Sequence, residues 1–412
     1  MSTMRRQNEI EFVSLIAIMS ALGALSIDAV LPAMPQMAAS LGMPEGNAAQ
    51  LIVGVLFLGM TIGQLIYGPV SDCIGRRPTL LVGVVVFMLG SLVSALAENS
   101  MLFIAGRFLQ GAGAAALRIV PLAIVRDRFE GALMARIMSW AMSIFILVPC
   151  IAPMLGQGIL SLAGWRAIFW LLFTLSCITA VWSWVRQPET LPHDKRRSGG
   201  IAAILEGLSA TLSNRITGSY LIALGLIQGV FMGYIMSAEQ IYRGIFGVDN
   251  LFAFFFALAA ISIGIASILN AKLVKHFGLE DICRFALLGV IAISGSIYIL
   301  GLFAALPLYG FLAAVSSIFF CFGLLIGNMN TIALQPLGHV AGLANSTISF
   351  LSGCIALAFG WLISGIYTTS VQSLMLGALI AGLLSVIAVM WGSRSQVNIG
   401  ESPSPQMINT GG

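Results

Sequence analysis

The feature that most constrains this chain is a recurrence of apolar runs, each about as long as a bilayer is thick. They lie at about 12–34, 47–70, 78–97, 101–125, 132–160 and 165–186, and again at about 216–243, 250–276, 282–303, 305–334, 341–366 and 369–393. A helix needs about 20 apolar residues to cross the hydrocarbon core. In lipid every backbone N–H and C=O must be satisfied within the chain, so runs of this length read as helices. Hydrophobic residues fill 58% of the 412 positions, enough for roughly twelve spans. Charged residues make up only 9%, where a soluble domain carries about a quarter. A soluble enzyme, a secreted disulfide scaffold and a disordered or fibrous chain are excluded. The expected fold class is an all-α membrane protein.

The runs divide six and six around 187–215, the longest polar stretch, which holds Pro188, Pro192, Lys195, Arg196, Arg197 and Ser198-Gly199-Gly200. This predicts a six-helix half at 1–186, a linker at 187–215, a second half at 216–393 and a disordered tail at 394–412. No cleavable signal is expected, because the run from Phe12 has no small-residue cleavage site after it. With an even span count and both termini inside, sixteen of the 20 Lys+Arg fall on the cytoplasmic side, from Arg5 and Arg6 to Arg394. The other side holds only Arg166 and Arg243, while Arg107 and Arg118 lie within a span. That asymmetry is the positive-inside signal. It also explains the net charge of +4 without any nucleic-acid partner. The six cysteines form no C-x-x-C pair and have no nearby His, so no metal or redox site is implied, and the five in apolar runs read as packing residues.

Charges inside spans are costly and mark function by default. Asp28 in the first span and Arg107 in the fourth both lie roughly 9 Å from the outer surface by helical rise. Matched depth predicts an ion pair. Arg118 follows Arg107 by eleven residues, close to three turns, so both share one face with Gly111 and Ala114 between them. Small residues there allow a neighbouring helix to approach, so the face turns into the bundle. No acidic residue stands in the apolar runs at the depth of Arg118, which calls for water, an anionic ligand or a side chain reaching the headgroups. Glu239 lies near the outer end of the seventh span.

Two Pro/Gly clusters interrupt the pattern. Pro149 and Pro153 stand four apart in the fifth span, before Gly156, and should bend it. Between spans two and three, Gly68, Asp72, Gly75, Arg76 and Arg77 form a tight turn that could act as a charge clasp.

Together these pieces resemble the major facilitator superfamily. Gly68-x3-Asp72-x2-Gly75-Arg76-Arg77 is similar to its signature turn, Arg107-Phe108-Leu109-Gln110-Gly111 to the span-four motif of proton-driven exporters, and Pro149-x3-Pro153-x2-Gly156 to the antiporter motif. Ser26-Ile27-Asp28-x3-Pro32-x2-Pro35, Gly164-Trp165-Arg166-x2-Phe169-Trp170, Pro188-Glu189-Thr190 and the segment His339–Ser346 resemble the bicyclomycin-resistance (Bcr/CflA) subfamily of drug:proton antiporters. The resemblance implies alternating access, in which two halves rock about a central site. It implies that Asp28 binds the coupling proton and Arg107 modulates its release. Asp72, Arg76 and Arg77 would latch the outward-facing state, and Pro149, Pro153 and Gly156 would hinge. The chain departs from the pattern at Cys73, where a basic residue is usual, at Lys275, where the second half's turn would carry an acid, and at Ser20, where some relatives carry one. Arg118 and Glu239 fall where small neutral residues are expected.

The leading expectation is a monomeric bacterial inner-membrane exporter of diverse drugs. Its apolar pocket would include Phe231, Tyr234, Met236 and Phe255, with polar contacts from Gln110, Gln228, Arg118 and Glu239. The alternative is a dedicated exporter of an anionic metabolite anchored by Arg118. A membrane enzyme or channel finds no nucleophile, phosphate loop or His/Cys/acid cluster in the spans, and no cofactor is expected.

Overall fold

The computed structural model describes residues 2–43, 48–196, 201–248, 251–365 and 370–399, and among them there is no strand. The helices are α1 (Ser2–Asp28), α2 (Met34–Ser40), α3 (Ala48–Ile74), α4 (Arg76–Leu96), α5 (Ser100–Arg128), α6 (Gly131–Ala163) and α7 (Arg166–Arg186). They continue with α8 (Ile201–Ser213), α9 (Arg215–Gln240), α10 (Phe252–Leu273), α11 (Leu279–Phe303), α12 (Leu308–Leu334), α13 (Ala341–Gly365) and α14 (Val371–Ile399). Among the described residues 11 helices are long and apolar enough to cross a membrane. The remaining expected span falls on α6, a helix of 33 residues.

Local chemistry sets the helix ends. Asn99 and Asn214 cap α5 and α9, each side-chain oxygen accepting a backbone N–H of the first turn, from Leu102 at 2.8 Å and from Thr217 at 3.0 Å. α1 stops at Asp28, earlier than its apolar run, because Pro32 has no N–H to return to the Asp28 carbonyl. A 3-10 turn, Leu31–Ala33, and the short α2 follow.

Two boundaries differ from expectation. The linker is not wholly irregular: its apolar stretch after Gly200 forms α8, which seats Gly207 against Leu343 and Thr347 of α13. The tail does not become irregular at Arg394: α14 continues to Ile399, since no Pro or Gly interrupts 393–399. Residues 400–412 lie outside the described residues.

Helices α1 and α3–α7 pack among themselves, as do α9–α14. The two groups meet where α3 lies along α13 and α6 along α10. At one end of the first seam Gln50 Nε2 donates to the Ser364 carbonyl at 2.6 Å. At the other, basic end, Gly68 brings the α3 backbone against Ser346. Burial separates central from peripheral spans. For α9 83% of the apolar window is buried and for α11 22%, so α9 is enclosed by helices while α11 offers most of its surface to lipid.

Candidate functional site

Arg107 is fully buried on α5, and it is held by neutral acceptors. Its Nη1 donates to the Ser26 carbonyl at 2.9 Å and to Gln110 Oε1 at 2.6 Å, and its Nε donates to the Ile52 carbonyl at 3.2 Å. Gln110 is fixed in turn by donating to Ser91 Oγ at 2.9 Å. The guanidinium lies 5.7 Å from the centre of the Phe169 ring, which packs edge-on with Phe103 and Trp165. The Trp165/Phe169 motif therefore forms one wall of the arginine's niche. Arg107 Nη2 has no hydrogen-bond partner.

The expected Asp28–Arg107 ion pair is not formed. Asp28 is 5% exposed, and among the described residues no hydrogen bond or ion pair reaches its carboxylate. Arg107 meets α1 at the Ser26 carbonyl, and residues two apart on a helix point roughly 200° apart. Along the Asp28 face of α1, accessibility rises toward the basic side, from buried Asp28 through half-buried Ala21 and Ala17 to exposed Ser14. Equal depth could be read from the sequence; the azimuth set by helix packing could not.

Arg118 is exposed. Leu109, on the opposite side of α5 by nine residues or roughly 180°, is 39% exposed and faces outward. Arg118 shares the inward phase of Arg107, on the side of α5 away from Leu109. On α9, Gln228 and Phe231 are half-buried.

Other expected pocket residues are placed elsewhere. Gln110 is fully buried as the partner of Arg107, with no surface left for a substrate. Tyr234, 1% exposed, stacks on Phe256 and meets Phe319 edge-on, so it belongs to the core of the second group. Its hydroxyl donates to that of Tyr242 at 3.4 Å, a ring that stacks on Phe255. Met236 is packed at the seam beside Gly54 and Ser364. Glu239 is buried and paired with Arg243, 3.2 Å away and one turn on. That turn is a π-helix, Ile241–Ile245, a form found mostly as single turns at functional sites. Arg243 Nη2 also donates, at 3.5 Å, to the Pro32 carbonyl of the other group. Glu239 thus anchors a strut across the non-basic mouth, beside which Leu31, Ala33, Ile241 and Tyr242 are fully buried.

At the basic end the turn after α3 is a charge cluster. Arg76 Nη1 donates to Asp72 Oδ1 and to Ser71 Oγ, and its Nε donates to Asp127 Oδ2 at 2.8 Å. Asp127 was not singled out by the sequence. Glu189, of the Pro-Glu-Thr motif, accepts the backbone N–H of Arg76 at 2.9 Å and of Arg77 at 3.2 Å, capping α4. It also accepts those of Thr190 and Leu191. Partial burial opposes its charge, but these four donors outweigh it and hold its carboxyl below the ordinary value. Gly75 makes this possible: its φ is +111°, and any side chain there would strike the Glu189 carboxylate. Arg77 Nη2 donates to the Trp184 carbonyl at 2.6 Å. A side chain at Gly342, at the start of α13, would stand 3.8 Å from the Asp72 carboxylate, so the cluster borders the second group of helices.

α6 runs unbroken through Pro149 and Pro153. Gly156 lies directly against the Ala29 carbonyl, so the motif touches α1 beside Asp28.

A model of the Major Facilitator Superfamily matches residues 16–360. The chain is 34% identical over 357 residues to the uncharacterized MFS-type transporter YdgK of Bacillus subtilis, covering 85% of this chain and 86% of that one. It is 27% identical over 381 residues to a bicyclomycin resistance protein homolog of Haemophilus influenzae, covering 92% and 94%. In fold it is similar to the human organic anion transporter MFSD10, with a TM-score of 0.69 at 18% identity over 93% of this chain and 99% of that one.

Proposed function

Because the chain belongs to the major facilitator superfamily, we propose that it is a proton-coupled exporter of small, drug-like compounds working by alternating access. It is a multi-pass membrane transporter and not an enzyme. We assign it to a bacterial inner membrane as a monomer with both termini in the cytoplasm and six helices on each side of the 187–215 linker. Likeness to a bicyclomycin resistance protein homolog supports drugs as the substrate class.

One observation carries the coupling. Two buried groups on adjoining helices each lack the partner the other could supply: the Asp28 carboxylate and Arg107 Nη2. A buried carboxyl alone favours its neutral form, and one beside a guanidinium favours its charged form. A rocking motion that alternately joins and parts these groups would take up a proton in one state and release it in the other. Gly156, against Ala29, would pass the movement of α6 to the end of α1. The Asp72/Arg76/Asp127 cluster would latch one state from the basic side, and the Arg243 strut the other side.

The test is transport into proteoliposomes under an imposed pH gradient. Asp28→Asn keeps the side chain's shape and cannot titrate, so gradient-driven accumulation should vanish while the protein stays folded. If the Asn protein still concentrates substrate against a gradient, Asp28 is not the coupling group.

A further inference from the structure

The charges well inside the spans are disposed unevenly. Asp28, Arg107 and Glu239 are buried, at 5%, 0% and 6% exposure, and Glu239 is further neutralised by Arg243. Among the described residues only Arg118 presents an exposed charge there. It stands ten residues from the end of α5, so roughly 15 Å inside the span, and its phase directs it inward. On α9, Gln228 and Phe231 are half-buried, and the Phe231 ring packs 5.3 Å from that of Phe319. An exposed guanidinium puts positive charge on this face of α5, and low-dielectric surroundings strengthen its field. A cationic drug is repelled there. An oxyanion is attracted, and a guanidinium offers it a planar two-donor fork.

We propose that Arg118 is the anion-recognising residue of the transport space, and that its preferred substrates are amphiphiles in which a carboxylate or similar oxyanion is joined to an apolar body. This rests on the reading that the space between the two helix groups is the transport path. It narrows drug-like compounds to those carrying negative charge.

The experiment measures binding, without a gradient, to the purified full-length protein. The probes are 2-naphthoate, 2-naphthamide and 2-naphthylmethylammonium, which share one ring and differ in charge. The wild type should bind the acid at least tenfold more tightly than the amide, and the ammonium least of the three. Arg118→Ala should cost the acid roughly ten- to a hundredfold and leave the amide within a few-fold. Arg118→Lys should restore part of the acid's affinity, since the charge returns without the fork. Arg118→Gln, which keeps length and polarity, serves if the Ala protein does not fold, and should lose the acid preference equally. Equal wild-type affinity for acid and amide overturns the proposal, as does an acid preference that survives in a folded Arg118→Ala or Arg118→Gln protein. Gradient-driven uptake is read separately. An intact acid preference without pH-driven transport would defeat the antiport reading and leave Arg118 as an anion site.

Discussion

At the scale of single residues, the decisive contacts are between a side chain and a neighbouring backbone. Arg107 donates to two carbonyls and one amide oxygen, which stabilises a buried cation while leaving one donor in reserve. Gly156 matters for what it lacks. A methyl there would overlap the Ala29 carbonyl, whereas a methyl at Gly158, two residues on in the same helix, meets nothing within 4 Å. Gly156→Ala should therefore destabilise the protein by about 1–3 kcal/mol through overpacking, and Gly158→Ala should leave stability unchanged or slightly improved. Thermal melts of the two variants in one detergent check this, and equal melting temperatures would rule out a close contact at Gly156.

At the scale of elements, short irregular pieces join the long helices at both mouths. The π-turn Ile241–Ile245 presents Arg243 to Pro32, in the 3-10 turn that follows Asp28. Because that hydrogen bond is long, losing it should cost about 1 kcal/mol, or a roughly fivefold change in opening. In a background without native cysteines, Ala33→Cys, fully buried here, should react several-fold faster with a membrane-impermeant thiol reagent once Arg243→Gln is added. An unchanged rate would show that the strut does not hold the mouth. At the basic mouth, the Glu189 carboxyl is held below its ordinary value by the backbone donors it caps. A group whose folded value is depressed contributes stability above its unfolded value and loses it as pH falls through the folded one. The clasp should persist at pH 5 and be lost only below the ordinary glutamate range near about 4.3. Protease cleavage within 188–196, followed against pH, should rise at lower pH in the wild type than the unfolded value alone predicts. Glu189→Gln should be cleaved readily at every pH.

At the scale of the whole molecule, two sets of helices touch along two seams, α3 with α13 and α6 with α10. The charge asymmetry of the loops gives the assembly a direction. Glu98, exposed between α4 and α5, and His193, exposed in the linker, lie on opposite sides of the membrane by that reading. With a membrane-impermeant thiol reagent on intact cells, Glu98→Cys should be labelled. His193→Cys should react only after the membrane is opened. The reverse pattern would invert the topology and, with it, the direction assigned to transport.

Much of this was set by sequence, because bilayer physics works on composition. The approximate places of the spans follow from hydrophobic length, and the asymmetry of Lys and Arg predicts their sidedness. The turn at Gly68–Arg77 and the depths of Asp28, Arg107 and Arg118 were equally legible, since helical rise converts residue number into height. What the sequence could not give is azimuth. Rise places Asp28 and Arg107 level, but only packing shows that Arg107 reaches the Ser26 carbonyl while Asp28 stands apart. Likewise Tyr234 has the composition of a pocket and the position of a core residue, and Glu239 proves to be a strut's anchor. Asp127 and Glu189 join Arg76 across separations of 51 and 113 residues, and no local period encodes such distances. Periodicity fixes which side of a helix a residue occupies; which neighbour lies on that side is decided only when all the helices pack at once.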